Sequence, residues 1–196
     1  MTGLSRAQLL QRATAGGVAL AVGGGALGGT ASAAIGAGDV PRVTQAVAGE
    51  LLGAAFYTQL LRAKLFGPGT QRAFARALTN ERAHYAALAK VLTDAGQVPG
   101  TADDFDFTFP KGAFAGRMAA ARLGVQLETA FLGICLGGAS SLQDPTARQL
   151  FARSAANQAQ HLSVFSDIAQ NKPIGLSFPP GLSLEDGSAA LDPFIS

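Results

Sequence analysis

The chain has 196 residues, enough for one domain and a short accessory segment. Hydrophobic residues make up 48% and charged residues 14%, a balance that buries a full core and argues against disorder. The formal net charge is +2, and Arg6 and Arg12 account for all of it, because the remainder holds 13 basic and 13 acidic residues. With no basic patch, nucleic acid is excluded as an expected partner. The single cysteine, Cys135, excludes an internal disulfide.

Residues 1–33 read as an export signal. Arg6 and Arg12 precede a weakly apolar, Gly/Ala-rich stretch, and Ala31-Ser32-Ala33 supplies a small-residue cleavage pattern. Ser5-Arg6-Ala7-Gln8-Leu9-Leu10 resembles a twin-arginine leader but has Ala7 where the second arginine would sit. That route, if used, implies export of a folded chain to the periplasm, envelope or exterior. An uncleaved leader would be the only membrane contact, since no other stretch reads as long and apolar enough to span a bilayer.

After a linker over 34–39, four helices follow in a bundle over 40–172. The first runs from Val40 to Phe66, ended by Gly67-Pro68-Gly69. Thr70 caps a second that runs to Ala95 and stops at Gly96. Residues 97–112 form an irregular crossing loop, in which Phe105, Phe107 and Phe109 cover the bundle or meet a second subunit. A third helix covers Ala113 to Leu136, and Gly137 to Gln143 turn the chain. Asp144 caps and Pro145 opens the fourth, which ends near Asn171 before Pro173. The apolar positions recur at three- and four-residue spacing, so the fold class is all-α, an antiparallel four-helix bundle. In the tail over 173–196, Ser183 caps a short helix through Leu191, and Ile174, Leu176, Phe178 and Phe194 are expected to pack on the bundle.

Polar residues interrupt each apolar stripe: Glu50 on the first helix, Glu81 and His84 on the second, Glu128 on the third, Gln158 and His161 on the fourth. A charge inside a bundle is costly unless it is paired or holds a metal. The chain has only four glutamates, three of them these, and both of its histidines are these. The midpoint of Glu50 and Glu81 falls beside the Gly-Pro-Gly turn, and that of Glu128 and Gln158 is Gln143. Each ligand is therefore about fifteen residues, or roughly 23 Å, from its turn, so all four helices present polar groups to one layer. The halves also match each other, with 30 residues between Glu50 and Glu81 and 29 between Glu128 and Gln158.

This pattern resembles the paired Glu…Glu-x-x-His framework of ferritin-like di-iron carboxylate proteins, in particular the exported branch that includes plant desiccation-related proteins. The resemblance covers about residues 40–196. It implies a metal site built from Glu50, Glu81, His84, Glu128, Gln158 and His161, holding one or two iron or manganese ions and no organic cofactor. It also implies a role in stress, and pairing into a homodimer. The family pattern puts Glu where this chain has Gln158, and a carboxamide is a neutral ligand that does not bridge as a carboxylate does. Glu50, Glu81 and His84 form the intact half, with Glu128 available to bridge. Three readings follow: an oxidative metal site, metal held without turnover, or a structural envelope protein that keeps the polar layer as a relic. Tyr57, on the stripe seven residues after Glu50, reads first as a core tyrosine with its hydroxyl satisfied and second as a donor beside the metal. Tyr85 reads as a helix-packing residue, and Cys135 as a buried, inert thiol.

Overall fold

A computed structural model describes residues 34–170 and 172–195. The leader reading of residues 1–33 lies outside them. Four long helices are observed: α1 (Val40–Ala63), α2 (Pro68–Asp94), α3 (Arg117–Ser141) and α4 (Pro145–Gln170), followed by the short α5 (Leu184–Leu191). The two hairpins α1–α2 and α3–α4 make the most extensive contacts, and α1 lies on α3 and α2 on α4. This is the expected all-α bundle with a long crossing loop.

Helix ends follow local chemistry in some places and tertiary contact in others. Lys64 takes a left-handed conformation (φ 51°) and ends α1 three residues before Phe66. Pro68, not Thr70, starts α2, because proline at the first helical position loses no hydrogen bond. At its far end Gly96 (φ 72°) carries the reversal, with Gly96 N–H donating to Thr93 and Gln97 N–H to Leu92. Asp144 caps α4 as expected, its Oδ1 accepting from Ala147 N–H at 2.7 Å.

The third helix differs most from expectation. It starts at Arg117 rather than Ala113 and continues through Gly137 and Gly138 to Ser141. These glycines are places of close approach rather than a turn. A Cβ on Gly137 would meet Leu182 O at 2.0 Å, and one on Gly138 would meet the Phe151 ring at 2.1 Å. By length and composition α3 also passes as a membrane span, contrary to the sequence reading, but most of it is buried against the other helices, as a core helix is.

Residues 34–39 are not a free linker. Ile35 is buried, and the buried Asp39 carboxylate accepts from the N–H groups of Gln143 and Asp144, tying the start of α1 to the α3–α4 turn. The crossing loop packs its three phenylalanines on the core edge, and Phe107 bridges to Ile195. The tail is divided. Ser183 caps α5, Gln45 of α1 donates to Leu184 O and Ser188 Oγ, and Phe194 is buried. Ile174, Leu176 and Phe178, expected to pack inward, are instead 90%, 75% and 93% exposed.

Candidate metal centre

The polar layer predicted from spacing is assembled in the bundle core. Glu50, Glu81, Glu128, Gln158 and His161 are buried, and His84 is the most accessible of the six at 15% exposed. Two groups of convergent ligand atoms form, one of Glu50, Glu81 and His84, the other of Glu81, Glu128 and His161; within each, the atoms lie within 4.8 Å of one another. Glu81 belongs to both. The shared carboxylate is therefore Glu81, and Glu128, read from sequence as available to bridge, lies with the second group alone.

His84 Nδ1 stands 3.2 Å from Glu50 Oε2. His161 Nδ1 stands 3.0 Å from Glu81 Oε1 and 3.6 Å from Glu128 Oε1. Behind His161, Asn80 Nδ2 lies 3.2 Å from Nε2 and orients the ring. Asn80 directly precedes Glu81, as Asn157 precedes Gln158, and only this internal repeat could have flagged it in the sequence. Tyr57 donates its hydroxyl hydrogen to Glu128 Oε1 at 2.5 Å, so both sequence readings of it, a satisfied core hydroxyl and a donor beside the layer, describe the same contact.

Gln158 joins the second group. One end of its carboxamide lies 3.0 Å from His161 Nδ1, 3.1 Å from Glu128 Oε2 and 3.2 Å from Glu81 Oε1. If the nitrogen faces them, it donates to the Glu128 and Glu81 oxygens. If the oxygen faces them, it accepts from His161 Nδ1 but stands against those two carboxylate oxygens, an arrangement that a cation resolves. The donor set of three carboxylates, two imidazoles and a carboxamide thus fits a hard or borderline divalent ion.

Gly53, one turn beyond Glu50, makes the layer possible. A Cβ there would meet Glu81 Oε2 at 2.5 Å and the Phe131 ring at 3.3 Å. The sequence reading missed this contact, and a mid-helix glycine, otherwise unfavourable, is the signal that could have found it.

Burial dominates the electrostatics. It raises the Glu50 carboxyl well above its ordinary value, helped by the neighbouring Glu81 and Glu128 charges. Burial also raises Glu128 to about 7, against hydrogen bonds from His161 and Tyr57. For His161, burial favours the neutral ring, but hydrogen bonds to Glu128 and Glu81 outweigh it and lift the ring to about 9. Burial lowers His84. The Cys135 thiol is buried and pushed well up, first by burial and then by Glu50, which keeps it protonated and inert. Tyr85 donates to Gly100 O and serves packing.

An antiparallel bundle with carboxylates and histidines on facing helices defines the class of carboxylate-bundle proteins. Residues 38–171 match the model of the ferritin-like domain, and the chain belongs to that family. A search of curated proteins returned no match.

Proposed function

We propose that this chain binds iron or manganese in the layer formed by Glu50, Glu81, His84, Glu128, Gln158 and His161, with one ion held firmly and a second weakly. The observation that carries this reading is the pair of ligand groups sharing Glu81. Three carboxylates supply three negative charges. They over-compensate one divalent ion and under-compensate two, because Gln158 contributes none. A bound iron or manganese ion would supply one-electron chemistry toward oxygen species. The protein's own part is to hold the ligands, exclude water from a buried layer and fix Glu128 Oε1 with the hydrogen bond that Tyr57 donates.

Export and a stress-related role, as in the desiccation-related branch, complete the proposal; the leader pattern over residues 1–33 and the resemblance of the tail support them. A second reading has its own support. The Gln158 amide, with its nitrogen turned inward, satisfies the layer through hydrogen bonds alone. In that case the chain is a structural envelope protein with a relic site.

Metal analysis of the protein purified from its native compartment, with an optical spectrum under oxygen, separates these readings. About one ion per chain, rising toward two under excess metal, is expected. Near-zero metal under both conditions leaves only the structural reading.

A further inference from the structure

Among the described residues, two buried side-chain oxygens have no hydrogen-bond partner, Ser154 Oγ and Asn157 Oδ1. They stand three residues apart on one face of α4. A hydroxyl can turn its hydrogen toward a carbonyl of its own helix, but a carboxamide oxygen only accepts. Asn157 Oδ1 is therefore a buried acceptor that needs a donor brought to it. The register of α2 against α4 places the donor. Phe74 stacks on Phe165 at 4.9 Å and Asn80 meets His161, so residue numbers that rise along α2 fall along α4. Four residues on from Asn80 is His84, and four residues back from His161 is Asn157. The Asn80–His161 pair thus has a counterpart with the two helices exchanged. It matches the repeat of Asn80-Glu81-x-x-His84 and Asn157-Gln158-x-x-His161.

The two pairs differ. His161 is engaged at both ring nitrogens, Nδ1 by Glu81 and Glu128 and Nε2 by Asn80. His84 is engaged at Nδ1 by Glu50, and among the described residues none bonds its Nε2. We propose that Asn157 is a positioning residue for His84, its Oδ1 accepting the Nε2 hydrogen when Nδ1 binds an ion, so that Glu50, Glu81 and His84 hold the firm ion. This deepens the metal reading and rests on it. An imidazole that ligates through Nδ1 carries its hydrogen on Nε2, whichever way the proton shared with Glu50 lay before. Ligating histidines give that hydrogen to an acceptor behind the ring, which fixes tautomer and orientation. The Asn157 oxygen is already out of water, so the bond costs no further desolvation. A bond that forms only in the loaded state adds to affinity and leaves metal-free stability untouched. The other group has no such gain in store. Its asparagine already touches its histidine, and Gln158 is a neutral ligand.

Zinc, a diamagnetic divalent ion, is the probe, with the full chain. In the wild type, the first equivalent of zinc should give His84 a slowly exchanging Nε2–H in nitrogen-15 NMR. Asn157→Leu should lose that protected hydrogen and weaken the first ion by about ten- to a hundredfold in isothermal titration. Its metal-free melting temperature should stay the same or rise, since the buried unpaired oxygen is gone. Asn157→Asp keeps an acceptor, so it should keep the protected hydrogen and bind the first ion at least as tightly as the wild type. Three outcomes would each overturn the proposal and leave the metal reading standing: Asn157→Leu binding zinc as the wild type does, a first ion that reports on His161 instead of His84, or Asn157→Asp as impaired as Asn157→Leu. A wild type that binds neither zinc nor manganese overturns both.

Discussion

Tyr57 on α1 and Glu128 on α3 are joined across the bundle by a hydrogen bond of 2.5 Å, with both side chains buried. Replacing Tyr57 with Phe removes this hydroxyl donor and leaves the side-chain volume almost unchanged. The expected cost is about 1–3 kcal/mol of folding stability, because a buried acceptor loses one of its donors. Chemical denaturation of the metal-free protein reads this directly. The Glu128 carboxyl, no longer held down by Tyr57, should titrate at higher pH in a carbon-detected NMR series.

The metal-free protein should lose stability as pH rises. Glu128 is raised to about 7 from an ordinary value of 4.5, and His161 to about 9 from 6.5. In both cases the folded state holds the proton more tightly than the unfolded state. Their stabilisation is therefore complete below about pH 4.5 and pH 6.5 respectively, and is lost as pH climbs through about 7 and then 9. His84, lowered by burial, acts the other way and costs stability on the acid side of its ordinary value. Metal competes with these protons, so affinity should increase from pH 5 to 8. Melting temperatures with and without manganese across that span would show curves that diverge as pH rises.

Gln158→Glu should act in opposite directions on the two states. A fourth buried carboxylate beside Glu81 and Glu128 destabilises the metal-free fold by about 3–5 kcal/mol. It also restores the charge that two divalent ions need, so bound metal should move toward two per chain. Elemental analysis and melting with and without metal check both halves.

Gly53→Ala sets helix propensity against the site. Alanine favours the helix by about 1 kcal/mol over glycine. Its Cβ, however, would stand 2.5 Å from Glu81 Oε2, so the shared carboxylate must move. Both ligand groups use Glu81, and isothermal titration should show metal affinity reduced at both, by about ten- to a hundredfold, the range typical when ligand positioning is lost. A parallel loss of stability is not expected to match it.

The amount legible in the sequence differs from element to element. The polar layer was read from period and turn symmetry because ligand spacing along an antiparallel hairpin is fixed by the helical rise. The Asp144 and Ser183 caps were read from short-range chemistry alone. Gly137 and Gly138, by contrast, look like a turn locally and are helical in the structure, because Leu182 and Phe151 press against them. Asn80 was missed for the same reason, since its partner His161 lies 81 residues away.

What the sequence determined by itself is therefore the bundle, its four stripes and which scarce residues stand in one layer. Tertiary structure alone decided that Glu81 is the shared carboxylate, that Gln158 faces the Glu128–His161 group, and that Ile174, Leu176 and Phe178 point to solvent. The reason is physical. Periodicity places a side chain on a face, but which oxygen meets which nitrogen depends on how side chains from different helices pack together, and here the glycine at position 53 leaves the space that the Glu81 carboxylate fills.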